Sequence, residues 1–427
     1  MANSVVQILG LLLASFVGLW ILYFLFRRPE ITFALFLFSY VIEGGDLIPG
    51  PIDLTAIFLF ISLVGFLLPI IRGNSIRYSP KSSDFWLLIF LIVLFGGSYF
   101  APDLKGGATK ATLFAIAVFL PYLISRLFIR TYEQIRVFLL TLLSLATGIA
   151  VILIFISFSP IYYGGRLQFF EAHPIPIATL LAVGLVIAVI GLIDPLLGKK
   201  WQNKAICIAI IPLYLYGVFL SGVRGPLISA IVGLAFYLLI LSNRRSRVLI
   251  SMAGIALFLL ATLNIWHPYI SRRVPNIRAY SSQAIIQGPS TQQRLERYQV
   301  AIRLFDQKPL LGGGTDSFRQ RTELGYPHNI FLEIASENGL IGLFVFLCFL
   351  GSIVWSGFRY LKTRQIRFSP QERAIGLVVL VVSLTLLVEK QFSYNLIMHK
   401  DLFAFLGLTV NLATISRSSL RPNTEAP

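Results

Sequence analysis

Charge is scarce in this chain. Only 13% of its 427 residues are Asp, Glu, Lys or Arg, and 19 of them are acids. A soluble domain carries about 25% charged residues, so an ordinary soluble enzyme is excluded. Cysteine is nearly absent too. Cys207 and Cys348 both lie in apolar runs, which excludes a disulfide framework or a thiolate metal site and leaves them to pack as small hydrophobes. His173, His267, His328 and His399 are scattered, with no paired spacing for a metal. The glycines Gly312, Gly313 and Gly314 lack the Lys-Ser/Thr of a phosphate loop and a preceding strand, so they read as a turn after Pro309. No cofactor or metal is implied. The energy for any reaction has to arrive with a substrate or from a gradient.

What the chain does have is long apolar runs. Its mean hydropathy is +0.79. A spanning helix needs about 20 mostly apolar residues, and continuous runs of that length favour helices over a barrel. Runs near 5–26, 31–43, 53–71, 84–100, 108–125, 137–158, 176–193, 205–220, 225–242, 248–265, 339–358, 374–389 and 402–416 predict an all-α polytopic membrane protein with 12–13 transmembrane helices. The second run is short enough to be re-entrant or tilted. Of the 36 Lys and Arg, 21 fall in one alternating set of loops and six (Lys105, Lys110, Arg166, Arg224, Lys390, Lys400) in the other. This is the positive-inside asymmetry. It puts the N-terminus outside and the C-terminus inside, and it explains the net charge of +17 without nucleic acid. The first run has no basic residue before it and Arg27-Arg28 after it, so it reads as an anchor and not a cleaved signal.

The remaining nine basic residues lie in a polar interval, 267–327, against four acids. A stretch of that length between two spans is usually functional or disordered. The organisation expected is one integral membrane unit. Residues 1–266 form N-terminal transmembrane helices, 267–330 an outer loop that lids a site, 331–416 the C-terminal helices and 417–427 a cytoplasmic tail.

Four outer features carry candidate chemistry. Arg224 sits in Ser221-Gly222-Val223-Arg224-Gly225-Pro226 and Arg166 in Gly164-Gly165-Arg166, with His173 following. Each arginine can snorkel to headgroups or grip phosphate oxygens as a permanent forked cation. Residues 291–307 read as an amphipathic helix, with Leu295, Tyr298, Ile302 and Phe305 on one face and Arg294, Arg297 and Arg303 supplying charge. Arg294 is the preferred ligand among them. His328 and Asn329 stand where the chain re-enters the membrane, followed by Glu333 and Glu337 one turn apart. A histidine there can cap a helix or transfer a proton near neutral pH. Three arginines and a histidine beneath one lid would stabilise a departing diphosphate without a metal. A small-anion (bicarbonate-like) transporter is the rival reading. It would call for inverted repeats and broken midplane helices, and neither is detectable. A purely structural subunit would leave Arg224 and His328 unexplained.

From Arg294 to Gly342 the chain resembles the O-antigen ligase and O-antigen polymerase family of bacterial inner-membrane glycosyltransferases. The resemblance is carried by Arg294, Tyr298 (where many members have Trp), Pro309, Gly312 to Gly314, His328-Asn329 and Glu337-Asn338-Gly339-Leu340-Ile341-Gly342. It implies a GT-C-like architecture in the inner membrane with a periplasmic active site. The implied donor is an undecaprenyl-diphosphate-linked glycan, transferred without metal and with inversion. The acceptor would be the next lipid-linked repeat unit, which receives the growing chain (polymerase), or the lipid A core (ligase), with membrane lipids and a chain-length regulator as partners. Thirteen apparent spans lean towards polymerase. The site implied has His328 and Arg224 as catalytic residues and Arg166, Arg224 and Arg294 on the diphosphate. Asn329, Glu337 and Tyr298 would support them.

Overall fold

The computed structural model describes residues 23–43, 53–73, 78–156, 162–163, 166–167, 174–196, 198, 200–241 and 289–418. The first apolar run as far as residue 22, the run at 248–265, His173 and residues 267–288 of the polar interval lie outside them.

The described chain is built from helices. In order they are α1 (Pro29–Leu37), α2 (Tyr40–Glu43), α3 (Leu54–Ile71), α4 (Ser82–Ser98), α5 (Leu104–Phe128), α6 (Tyr132–Ile156), α7 (Pro174–Ile193), α8 (Trp201–Ser221), α9 (Arg224–Phe236), α10 (Pro289–Gln307), α11 (Ser317–Arg321), α12 (Ile330–Arg367), α13 (Pro370–Glu389) and α14 (Lys400–Ser418). Two short strands, β1 (Tyr162–Tyr163) and β2 (Arg166–Leu167), pair antiparallel between α6 and α7. Among the described residues seven helices are long and apolar enough to cross a membrane, and α4 and the stretch from Arg224 to Leu239 are shorter apolar ones.

Side chains set the helix starts. The Asp53 carboxylate accepts the Ala56 amide at 2.9 Å, and Asp103 accepts those of Lys105 and Gly106 at 3.0 and 2.9 Å. Ser369 and Glu372 form a reciprocal capping box around Pro370 at the first position of α13. A single π turn, Ala115–Phe119, interrupts α5.

The run at 31–43, short enough in the sequence to be re-entrant or tilted, is not one continuous helix. It is two short helices, α1 and α2, broken at Phe38–Ser39. At about 1.5 Å of rise per residue neither piece can cross. Its polar break is held from the far end of the chain. The Lys400 ammonium donates to the Phe36 carbonyl at 2.7 Å and to Ser39 Oγ at 3.1 Å, and it lies 4.6 Å from the Phe36 ring centroid.

Most of the core among the described residues is one large apolar cluster. Helix α7 runs through its middle, buried on nearly every side, as its unbroken apolar sequence requires. Gly184 brings α7 against α6 and α8: a Cβ there would meet Ala146 Cβ at 2.8 Å and the Tyr214 ring at 3.1 Å. Small residues permit this closeness where lipid supplies no hydrophobic drive between helices. The aromatic rings of Phe90, Phe114, Phe346, Phe349 and Phe403 knit α4, α5, α12 and α14 together.

Buried charge is more plentiful than the sequence suggested. Arg126, expected in an inner loop, is inside the bundle. It grips Asp84 with two bonds (Nε to Oδ1 3.0 Å, Nη2 to Oδ2 2.9 Å) and donates to Asn411 Oδ1 at 2.5 Å, while the Tyr122 hydroxyl donates to Asp84 at 2.6 Å. The network joins α4, α5 and α14. Each of these charges is paired, as charges at membrane depth have to be.

Candidate active site beneath the lid

The polar interval is docked on the bundle by its glycines. Gly313 N donates to the Ser336 carbonyl and Gly314 N to the Glu337 carbonyl, both at 2.9 Å, while Leu340 N and Ile341 N donate to the carbonyls of Pro309 and Leu310. This exchange is possible because α12 is broken at Gly339, whose φ of 63° and ψ of −160° are not helical. Side chains would block it. A Cβ on Gly312 would lie 2.4 Å from the Glu337 carbonyl, and one on Gly339 2.3 Å from the Leu310 carbonyl oxygen. Thr315 extends the seam to α4, with its hydroxyl donating to the Leu94 carbonyl at 2.7 Å. The glycine turn expected after Pro309 is therefore half of a backbone joint, and the Glu-Asn-Gly motif is the other half.

Beneath the joint lies a buried triad. The Lys110 ammonium of α5 donates to Glu333 Oε1 at 2.5 Å and to the two Glu337 oxygens at 2.9 and 2.8 Å. Glu337 also accepts the Asp316 amide, and Glu333 the Leu396 amide, both at 2.9 Å. Glu337 is committed to holding the lid and α5 together. A second buried cluster follows α13, where Lys390 lies 2.7 Å from Glu389 Oε2 and 2.9 Å from Asp401 Oδ2.

Several expected site residues gather around the segment 390–399. Tyr298 of α10 donates to the Gln391 carbonyl at 3.1 Å. Burial pushes its phenol up, while the Arg294 charge and a hydrogen bond from the Asn329 side chain pull it back. Arg294, Tyr298 and Asn329 thus share one neighbourhood. Asn329 also caps α12, its carbonyl oxygen accepting the amides of Phe331 and Leu332 at 3.0 Å. His328 precedes it with a left-handed φ of 60°. Its half-buried ring packs edge-on against Tyr326, with centroids 4.5 Å apart. A histidine held in that sparsely populated conformation by its surroundings is a frequent mark of a working site.

Arg224 lies in a turn that packs on the same segment. It is half-buried and is the first residue of α9, after the left-handed turn at Gly222 (φ 66°). Gly225 brings this turn onto the same segment, since a Cβ there would lie 3.2 Å from Phe392 Cβ. Val223 packs with Ile175, Ala178 and Tyr394. The backbone of Arg166 is in β2, paired with Tyr163, and β2 packs against α8; the Arg166 side chain lies outside the described residues.

Four charges named in the sequence analysis were not assigned to the site there. Arg297, one turn from Arg294, sends its charge to Tyr326, whose phenol burial raises and Arg297 lowers. Its Nε is buried without a hydrogen bond among the described residues. Lys110, Glu333 and Lys390 were legible as charges but not as a buried framework. The signal was there in part: Glu333 and Glu337 fall one turn apart, and Lys110 interrupts an apolar run.

The described helices are those of a polytopic membrane protein, with Arg294, Tyr298 and Asn329 in one neighbourhood and His328 packed edge-on against Tyr326 beside it. Residues 208–347 match the family model described as O-antigen ligase. The matched stretch runs from α8 through the lid into α12 and includes Arg224, Arg294, His328 and Glu337. It supports the resemblance to the O-antigen ligase and polymerase family. That family implies a glycosyltransferase-like, multi-pass inner-membrane enzyme acting on a lipid-linked glycan and an acceptor. No curated protein matches the chain.

Proposed function

We propose that this protein transfers a glycan from undecaprenyl diphosphate to an acceptor hydroxyl on the periplasmic face, without a metal. The observation that carries the reading is the meeting of Arg294, Tyr298 and Asn329, with His328 next in the chain, under a lid inside the matched stretch. In the reaction the acceptor oxygen attacks the anomeric carbon from the face opposite the diphosphate. The bond from that carbon to the diphosphate oxygen breaks, and its electron pair leaves with the diphosphate. His328 receives or guides the hydroxyl proton, as a general base positioned at the acceptor would. Arg224, Arg294 and Arg166 neutralise the charge that grows on the leaving group, the moment at which fixed cations matter most. Glu337 acts at a distance by fixing the lid, and Asn329 by fixing the start of α12.

The acceptor we favour is the next lipid-linked repeat unit, which makes the enzyme a surface-polysaccharide polymerase. Transfer to the lipid A core is the second reading, favoured by the ligase description of the matched family. Reconstitution with a lipid-diphosphate glycan and each acceptor in turn separates them: lengthened lipid-linked glycan supports the first, glycosylated lipid A core the second. His328→Ala and Arg224→Ala are expected to fold normally and to stop transfer. Wild-type product yield from either variant removes that residue from the site.

A further inference from the structure

The basic end of the bundle, opposite the lid, holds a cavity of about 850 Å³ that the transfer reaction does not use. It lies between residues 23–30, α3 and the turn from α5 to α6. Its floor is apolar. Phe66 and Phe128 stack there with centroids 4.8 Å apart and planes 14° apart, and Leu68 and Ile70 continue the wall. Gly65 sets the depth by letting α3 meet the start of α1, where a Cβ would lie 2.9 Å from Pro29 Cβ.

The rim is cationic. Arg27, Arg28, Arg72 and Arg130 surround the cavity with one carboxylate, Glu30, which lies 3.4 Å from Arg28. Four positive charges less one negative leave +3. The Arg27 guanidinium stands 4.8 Å from the Tyr23 ring centroid. Gln134 fixes the turn that carries Arg130 by accepting the amides of Arg130 and Thr131 at 3.0 and 3.1 Å.

We propose that this cavity binds an anionic phospholipid of the surrounding leaflet, its phosphate among the arginines and an acyl chain along the Phe66–Phe128 floor. A soluble anion would leave the apolar floor in water, and a zwitterionic lipid would leave the rim charge unanswered. Guanidinium groups match phosphate oxygens in geometry and charge. Basic pockets between helices on the inner side of a membrane suit such headgroups.

The test uses the full chain in nanodiscs or mixed micelles. Retention of phosphatidylglycerol is read by native mass spectrometry, with phosphatidylcholine and inorganic phosphate as competitors. Arg27→Gln/Arg72→Gln removes two exposed rim charges and is expected to weaken retention about tenfold or more. Leu68→Trp fills the floor without changing charge and is expected to do the same, so the test survives if either variant folds poorly. Phosphatidylcholine and phosphate should not displace the lipid. The proposal is overturned by unchanged retention in both folded variants. Displacement by inorganic phosphate would overturn it in favour of a soluble anion site. Absence of retained phosphatidylglycerol in the wild type would do so in favour of a cavity covered by protein.

Discussion

Lys110→Met should be among the most damaging single substitutions in the described bundle. The methionine keeps the length of the side chain and removes only the ammonium. In the intact protein that ammonium lies within 3 Å of three oxygens from Glu333 and Glu337, and all three side chains are at most 7% exposed. Without it two carboxylates face each other in a dry site. Breaking a buried ion pair by removing one partner costs about 3–5 kcal/mol, so we expect a loss of that size in equilibrium unfolding from mixed micelles. Charge arithmetic then supplies the control. The triad carries one positive and two negative charges, so Glu337→Gln balances it and should cost less than Lys110→Met. The neutral triple variant Lys110→Met/Glu333→Gln/Glu337→Gln should recover part of the loss. A Lys110→Met protein within 1 kcal/mol of wild type, or a triple variant no better than the single one, would refute the reasoning.

Three further outcomes are expected. Gly312→Ala forces a methyl against the Glu337 carbonyl at a φ of 71° and should cost at least about 1–3 kcal/mol, whereas Gly351→Ala in α12 meets nothing within 4 Å and should be neutral or stabilising by up to about 1 kcal/mol; thermal unfolding of the pair compares them. Tyr298→Phe loses the hydrogen bonds to Gln391 and Asn329, about 0.5–1.5 kcal/mol each, and should slow transfer by about a hundredfold or less, while His328→Ala should remove the about 10²–10⁴-fold of a proton-transfer group; initial rates of lipid-linked glycan turnover distinguish them. Arg126→Met strands Asp84 and Asn411 on two other helices and should cost about 3–5 kcal/mol, read by the temperature at which the micellar protein aggregates.

The long apolar runs announced α3, α5, α6, α7, α8, α12 and α13 because nothing but a membrane accommodates them. The run at 31–43 was already short for a span, and its break was not legible. Its composition is that of a span, but Lys400, more than 350 residues away, satisfies the carbonyl at its break. The motif from Arg294 to Gly342 was visible as a pattern, yet its two halves do different work. Arg294, Tyr298, His328 and Asn329 surround the candidate site, whereas Gly312, Gly314 and Gly339 make room for backbone to meet backbone. Spacing along a chain cannot reveal such clearance, which is a distance between segments. Lys110 and Lys390 read as loop lysines because burial depends on which carboxylates arrive from elsewhere, here Glu333, Glu337 and Asp401. Reading thirteen spans also leaned on segments outside the described residues.

The joint between residues 309–314 and 336–341 carries an instruction about biosynthesis. The first strip leaves the ribosome before the second, and the carbonyls it needs exist only once the broken helix at Gly339 has been laid into the bilayer. The roof of the site therefore waits, unseated, for the mast that follows it. Nascent chains stopped short of residue 341 should reach the membrane with their early helices in place and residues 309–314 still undocked.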